Sequence, residues 1–375
     1  MTIFIYFPSV LYLIRILCIL LWKQFHTVKE VLGLANNKVT IEDVAARAGV
    51  GIATVSRAIN NTEGISPKTK EKVLAAVEEL GFVPNSFAQN LKFRQTKHIA
   101  LAVPDIRNAF VPEIAYSVEQ AAKHYGYRVV QINTLGNIRS ELELLRDMKK
   151  LHVDGLIILP LAYPKTMKDL INKANLPISI INYGKTLESD VKADIVSLST
   201  PEGRLVMEHL LSIGRTRIGY AGAPKEIIEE RFFAYEDALD QIDRSLIYFG
   251  DDFSLQTGAK AADYFVNLTL MPDAIYAGND MVAIGLLNRF KELGVRVPED
   301  IAIVGVDNNL LCTITTPKIS SVSIMGAEVA KVATELLLQR IEEQKKGLYE
   351  RVQFEPRLIV RESSLSRMRT TQYIE

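Results

Sequence analysis

The sequence predicts an α + α/β protein: a small helix-turn-helix head on the N-terminal side, then a larger body of doubly wound parallel sheets. Three observations carry that expectation. Residues 40–81 hold three short helical patterns punctuated by glycine, and from Ile99 onward apolar runs alternate with helical patterns at βαβ spacing. The body runs to about 270 residues, more than one such sheet needs, so two lobes are expected.

Composition narrows the function. Of 375 residues, 48% are hydrophobic and 23% charged, which excludes wholesale disorder. Cys18 and Cys312 are too few and too far apart for a disulfide framework or a thiolate cage, and His26, His98, His124, His152 and His209 show no metal-ligand spacing. No metal and no cofactor is expected. Net charge is zero but uneven. Residues 1–37 carry three bases and one acid, residues 38–98 nine bases and six acids, and the remainder 32 bases and 37 acids. A basic front on an acidic body suits a polyanion-binding head.

Residues 1–37 form an apolar extension. Ile3 to Leu21 is broken only by Pro8, Ser9 and Arg15 and is long enough to span a bilayer, yet no Lys or Arg precedes it and no small-x-small cleavage site comes after it. It reads as an uncleaved anchor oriented by Arg15, Lys23 and Lys29, as a buried or partner-binding helix, or as a segment outside the native protein whose start lies downstream, at Val28 for instance. The third reading is the expectation, because the head at residues 38–82 has its own clean beginning.

Residues 38–82 form the head. Thr40-Ile-Glu-Asp43 has the form of a capping box, and Ile41, Val44, Ala45 and Ala48 fall on one helical face. Gly49-Val50-Gly51 ends that helix. A second, about Ile52–Ile59, turns Val55 and Ile59 inward and leaves Thr54, Ser56, Arg57 and Asn60 outward. Ser66-Pro67 starts a third, with Val73, Leu74, Val77 and Leu80 as its apolar stripe and Gly81 as its end. Two short helices across a glycine turn, braced by a third, have helix-turn-helix geometry, and the second is narrow enough to enter a major groove. A plain three-helix bundle is the alternative. The short hydrogen-bonding groups and arginine on the outer face argue against it.

In the body, residues 98–365, strands are expected at Ile99–Pro104, Val129–Asn133, Gly155–Pro160, Ile178–Asn182, Ile218–Gly222, Ala274–Ala277 and Ile301–Val306. Helical stretches lie between them, such as Val111–Tyr125, Ser140–Lys149, Pro201–Ile213 and Asp280–Leu293. Ligands of open α/β sheets sit off the carboxyl ends of the strands. Here those ends carry Asp105, Asn108, Asn182, Asn279 and Asp307, side chains suited to several hydroxyl or amide hydrogen bonds. Asn279 or Asp307 could instead cap a following helix.

The motifs Thr40-Ile-Glu-Asp-Val-Ala, Ala48-Gly-Val, Ala53-Thr-Val-Ser-Arg57, Asn60-Asn61, Gly64-Ile-Ser-Pro67 and Gly81-Phe-Val-Pro-Asn85 closely resemble the LacI/GalR family of bacterial transcriptional regulators. The resemblance implies that Ile52 and Ala53 read bases, that Arg57 is the recognition-helix arginine, and that Thr54, Ser56 and Asn60 touch phosphates or bases. Thr40 and Gly51, at the starts of the two helices, join that DNA-binding set. Gly51 departs from the family's usual serine cap. Pro84–Leu91, in the linker 83–97, resembles the family's hinge helix, with Asn85 in it, Ala88 packing the pair and Leu91 as the apolar wedge that bends DNA at the minor groove.

The resemblance continues to Ser363 through Pro104-Asp-Ile-Arg-Asn108-Ala-Phe110, Val153-Asp-Gly-Leu-Ile157, Ala277-Gly-Asn-Asp280, Val304-Gly-Val-Asp307 and Val360-Arg-Glu-Ser363. It implies a two-lobed, periplasmic-binding-protein-like body with three crossovers and an effector in the cleft. Arg231, Asn279 and Asp307 become effector-contacting positions, with Asn108 and Phe110 on the opposing lobe and Asn182 more weakly. Arg231 is expected to pair bidentately with Asp307 over a ligand hydroxyl or carboxylate; a solvated arginine is the alternative. Ala234 replaces the family's usual glycine, Asn308 a frequent aspartate, and Ala109 a proline. Residues 366–375 are a tail.

The expected function is a sequence-specific DNA-binding regulator, in the repressor sense, working as a cytoplasmic homodimer on a palindromic operator and answering to a sugar-like effector. No enzyme is expected. Gly49-Val-Gly51 lacks the third glycine of a dinucleotide fingerprint and joins two helices, and there is no nucleophile elbow, P-loop or carboxylate pair for proton transfer. The competing expectation is a membrane-tethered sugar-sensing regulator or receptor, anchored by residues 1–22.

Overall fold

The computed structural model describes residues 39–59, 64–82, 95–160, 162–183, 187, 190–224, 229–342 and 347–365, the side chains of 229 and 230 excepted. Asn60, Asn85, Ala88 and Leu91 lie outside the described residues, as do the apolar run 3–21 and the tail. Contacts divide the chain into two units, one within Met1–Phe93 and one within Arg94–Glu375.

The head comprises α1 (Ile41–Ala48), α2 (Ile52–Ile59) and α3 (Pro67–Leu80). Its start is the expected capping box: the Asp43 amide donates to Thr40 Oγ1 at 3.3 Å and the Thr40 amide donates to Asp43 Oδ2 at 2.8 Å. Those bonds hold the Asp43 carboxyl below its usual pKa. Gly49 ends α1 at φ +63°, a left-handed conformation that costs glycine nothing. Val44, Ala45, Ala48, Val55, Ala58, Val73 and Ala76 form the core. One sequence expectation needs correction and another is extended. Leu74 is 44% exposed, because the buried row on α3 steps from Val73 to Ala76, Val77 and Leu80 and leaves position 74 a quarter-turn off it. On α2 the fully buried pair is Val55 and Ala58, with Ile59 half-buried beside them.

The body holds two six-stranded sheets. The first contains β1 (His98–Val103), β2 (Arg128–Asn133), β3 (Gly155–Ile158), β4 (Ile178–Asn182), β5 (Asp194–Leu198) and β11 (Arg351–Phe354), in the order β11-β5-β4-β3-β1-β2 and parallel throughout. The second contains β6 (Ile218–Gly222), β7 (Ile247–Phe249), β8 (Ala274–Ala277), β9 (Ala302–Asp307), β10 (Ser320–Ser323) and β12 (Arg357–Ile359), in the order β12-β10-β9-β8-β6-β7, with only β12 antiparallel. The central strands are buried on both faces, as parallel sheets require.

Helices cover both faces of each sheet. α4 (Phe110–His124) and α11 (Gly326–Glu342) pack on one face of the first sheet, and α5 (Ile138–Asp147) and α6 (Lys165–Lys173) cover the other. On the second sheet, α7 (Glu202–Ser212) and α8 (Glu229–Asp237) oppose α9 (Leu255–Val266) and α10 (Asp280–Glu292). The chain passes between sheets three times: from β5 to α7, from β10 to α11 and from β11 to β12. β5, β7, β10, β11 and β12 lie outside the seven strands expected from the sequence. β10 reads Ser-Ser-Val-Ser and is nonetheless buried, its Ser320 and Ser321 hydroxyls bonded to Ser364, Arg361 and Asp280. No helix among the described residues is long and apolar enough to cross a membrane.

Candidate DNA-binding and effector sites

On the head, α2 shows two faces. Val55 and Ala58 face the core, while Gly51, Ile52, Ala53 and Arg57 are exposed and Thr54 and Ser56 half-buried. An isoleucine 48% exposed at the start of a helix is costly in water and suits apolar contact with a base edge. Gly51 supplies no side-chain oxygen. Its carbonyl accepts Thr54 and Val55 amides at 2.9 and 3.1 Å, leaving the first amides of α2 without a side-chain cap. Thr40, counted with the DNA set, has its hydroxyl committed to Asp43 Oδ2 at 2.8 Å. Arg47 reaches from α1 to Glu79 on α3 at 2.6–3.0 Å and braces the bundle.

In the body, the second sheet has its switch point between β6 and β8, where strand order reverses and a crevice opens at the carboxyl ends. Gly278 and Asn279 follow β8 there. Tyr220 rises from β6 so close that a Cβ on Gly278 would lie 2.9 Å from its hydroxyl. Asn279 caps α10, its Oδ1 accepting the Val282 amide at 3.0 Å, so the capping alternative is realised. Its Nδ2 is nevertheless buried without a partner. One half of the amide builds the helix, and the other half is left for something else.

Arg231, on α8, reaches this crevice. It is not a solvated charge: Nε donates to Glu202 Oε1 at 2.6 Å and Nη1 to the Gly278 carbonyl at 2.6 Å, with its side chain 16% exposed. The expected bidentate pair with Asp307 is corrected to a single 3.5 Å contact through Nη2. The reason is Glu202, which lies at the start of α7 and takes the Nε edge. Burial disfavours the guanidinium, but Glu202 and then Asp307 more than offset this and raise its pKa. The ring of Phe253 covers it at 5.6 Å. Gly203 makes the approach possible, since a Cβ there would lie 2.7 Å from the Tyr276 hydroxyl and 2.8 Å from the Ala234 Cβ. The alanine that departs from the family pattern therefore sits opposite a glycine.

Asp307 ends β9 at φ +106°, followed by Asn308 at +53°. Two left-handed non-glycine residues in sequence are strained, and the surroundings over-determine them. The Asn308 amide donates to Ser321 Oγ at 2.9 Å, the Asn309 amide to Asp280 Oδ2 at 2.8 Å, and Arg361 donates to Asn308 Oδ1 at 2.6 Å. Asn308 is thus a turn residue held by Arg361. Burial pushes the Asp307 carboxyl up to about 8, against the pull of Arg231.

The first sheet contributes from the facing lobe. Asn108 Oδ1 accepts the Phe110 amide at 3.1 Å and opens α4. Asp105 is occupied by Arg107 at 2.7–3.1 Å. Phe110 packs edge-on against Tyr183 at 5.6 Å, directly after Asn182 at the end of β4. Burial raises the Tyr183 hydroxyl well above its usual pKa, and the fields of Asp307 and Glu202 act in the same sense. The two lobes therefore meet here. Glu202, Tyr183, Tyr220 and Tyr276 escaped the sequence reading, although Tyr183 does adjoin a flagged strand end.

The comparisons with known proteins agree with this architecture. Residues 40–85 match the family described as bacterial regulatory proteins, lacI family, and residues 207–364 match a periplasmic binding protein-like domain. The chain is 32% identical over 333 residues to the HTH-type transcriptional repressor PurR of Photobacterium profundum, covering 86% of this chain and 98% of that relative. It is 31% identical over 327 residues to the ribose operon repressor of Halalkalibacterium halodurans, covering 87% and 97%. The lac repressor dimer bound to operator and the anti-inducer ONPF superposes with a TM-score of 0.77 at 25% identity, covering 88% of this chain and all (100%) of that one. The complex of the transcriptional regulator CelR with cellobiose gives 0.63 at 28%, covering 87% and 99%. Nothing in these comparisons supports a membrane-tethered receptor. Relatives at this identity, aligned over nearly their whole length, leave one assignment: the chain belongs to the lacI family of bacterial regulatory proteins, DNA-binding transcriptional regulators and not enzymes.

Proposed function

We propose that this regulator is a cytoplasmic repressor acting as a homodimer on a palindromic operator, with operator affinity set by an uncharged small molecule bound between the lobes at Arg231, Asn279 and Asp307, faced by Asn108, Phe110 and Asn182. The observation that carries the reading is the gathering of Arg231, Glu202, the Gly278 carbonyl and Asp307 at the switch-point crevice, beside buried polar groups that have no partner among the described residues. The ribose operon repressor and the CelR–cellobiose complex point to sugars, and the PurR relatives widen the panel to purines.

On the DNA, α2 enters the major groove, with Ile52 and Ala53 against base edges, Arg57 on a base, and Gly51, Thr54, Ser56 and Asn60 near the backbone. The segment with Asn85, Ala88 and Leu91 pairs with its symmetry mate in the minor groove, and Leu91 bends the centre. Inside the body, α11 offers a mechanical link. Its first residue, Gly326, abuts Phe110, where a Cβ would lie 2.5 Å from the ring. Its last, Glu342, pairs at 3.0 Å with Lys97, whose amide is held by Asp154 at 2.8 Å where the chain enters β1. Lobe movement felt at Phe110 is thereby delivered to the entry of the body. Coupling of this kind is reciprocal: a ligand that weakens operator binding binds less well on the operator.

The test is a melting scan of the full chain against sugars, sugar phosphates, nucleosides and purines. A ligand at about 100 times its Kd adds near 2.7 kcal/mol to the native state. A hit whose effect is lost in Arg231→Leu supports the site, and a hit indifferent to that substitution moves it elsewhere. For the hinge, Leu91→Ala reduces the operator bend in a gel-mobility assay, and an unaltered bend removes the wedge.

A further inference from the structure

The charges at the crevice are already matched in a way that bears on ligand class. Arg231 is their cation, and its donors are largely spent: Nε on Glu202 at 2.6 Å, Nη1 on the Gly278 carbonyl at 2.6 Å, and Nη2 at 3.5 Å from Asp307. The Glu202 and Asp307 side chains are each 3% exposed, so the guanidinium is matched by the Glu202 carboxylate with a second buried acid, Asp307, beside it. A third, Asp280, is fully buried behind the Asp307 turn, holding Ser321 Oγ at 2.6 Å and the Asn309 amide at 2.8 Å. Arg361 is turned to Asn308 Oδ1 and the Ile319 carbonyl.

Around this cluster the hydroxyls of Tyr183, Tyr220 and Tyr276 and the Nδ2 of Asn279 are buried with no partner. Buried donors without partners are costly, and their grouping here asks for a ligand that can satisfy them. Tyrosine hydroxyls both donate and accept, and an amide Nδ2 donates. An alcohol group matches such a set. A phosphate or carboxylate is chiefly an acceptor, and would bring negative charge against Glu202 at low dielectric.

We propose that Glu202 is the charge filter of this site: by occupying Arg231 it closes the inner end of the crevice to anions and reserves it for an uncharged, hydroxyl-bearing part of the effector. The inference rests on the reading of this crevice as the effector site. Glu202 sits at the first position of α7, just beyond the β5-to-α7 crossover, and reaches Arg231 only because Gly203 lets α7 approach Ala234 on α8.

Inorganic phosphate is the probe, so no effector need be known. The melting temperature of the full chain is measured in phosphate and in chloride at matched ionic strength. Wild type is expected to melt at the same temperature in both, apart from phosphate held by the basic head. Glu202→Gln keeps the side chain's shape but frees the guanidinium charge, and its melting temperature is expected to climb with phosphate and saturate. The double variant Glu202→Gln/Arg231→Leu is expected to lose that climb, which subtracts any phosphate bound by the head. Should Glu202→Gln fail to fold, Glu202→Ala also removes the carboxylate from the guanidinium and is expected to show the same climb. The filter is overturned if wild type gains from phosphate as much as Glu202→Gln does, if neither variant gains, or if the gain survives loss of Arg231. The effector-site reading is judged separately, by whether sugars that stabilise wild type stop doing so in Arg231→Leu.

Discussion

Asp307 gives the site a pH dependence that can be worked through. Its carboxyl is buried, its contact with Arg231 is a long 3.5 Å, and Glu202 holds the better edge of the guanidinium, so Asp307 is the acid that keeps its proton, with a pKa raised to about 8. The unfolded chain releases that proton near pH 4. An acid with a higher pKa folded than unfolded binds more protons in the native state, so stability is full below the unfolded value and is lost as pH rises through the folded one. Asp280, pushed up to about 6 by burial, follows the same sign but is largely spent below pH 7. Between pH 7 and 9 the remaining loss from Asp307 is about 1 kcal/mol, from a shift worth ~1.4 kcal/mol per unit. In a body of this size that lowers the melting temperature by roughly 2–4 °C. Asp307→Asn imitates the protonated acid and cannot titrate. Scanning calorimetry of both proteins at pH 7, 8 and 9 is expected to show the wild-type melting temperature falling relative to the variant's, since other titrations cancel in the difference. Parallel profiles would refute the reasoning and show that Asp307 is already ionised at pH 7.

Arg57→Ala, on an exposed position of α2, is expected to weaken operator binding by about 1–3 kcal/mol with no change in melting temperature; fluorescence anisotropy on a duplex selected from random sequence measures it. Gly51→Ser has open space for its Cβ, so capping α2 is expected to shift stability by only a few tenths of a kcal/mol. Its effect belongs in DNA affinity, where one added hydroxyl–phosphate hydrogen bond is expected to tighten binding by about 0.5–1.5 kcal/mol and leave the salt slope unchanged, since a neutral donor releases no counterion. Asp194 accepts Arg340 through both oxygens at 2.6 Å and the Glu350 amide at 2.8 Å, holding β11 on the edge of the first sheet. Asp194→Ala strands a buried guanidinium and is expected to cost about 3–5 kcal/mol in urea unfolding; a cost below about 1 kcal/mol would mean that water reaches Arg340.

The head was legible because its signals are local. A capping box, a left-handed glycine and an i, i+3, i+4 row each act within one turn of chain, so Thr40, Gly49 and the Val44–Ala48 face could be placed from residue identities alone. Leu74 shows the limit: an apolar residue counts toward a stripe in sequence, but its angle about the helix decides what it touches. The central strands of the body were legible for a related reason, since burial on both faces leaves unbroken apolar runs such as Gly155–Ile158. β10 failed that test because its burial is satisfied by hydroxyl partners, Ser364 and Asp280, that lie more than forty residues away in either direction.

The site divides along the same line. Asn279 and Asp307 announce themselves as polar residues ending apolar strands, and Arg231 through the family resemblance. Glu202 does not, because nothing within its own helix says that it is buried. That fact depends on Gly203 having no Cβ, on Ala234 having only one, and on α8 carrying Arg231 to the same point. Tyr220 and Tyr276 are core aromatics, packed edge-to-face at 5.2 Å. Only their hydroxyls, buried without partners, mark them as more than that. The proposed specificity therefore rests on residues whose identities look structural. On the proposed reading the family resemblance marks Arg231 as a ligand contact, while the charge it can offer a ligand is set by Glu202, 29 residues earlier in the sequence.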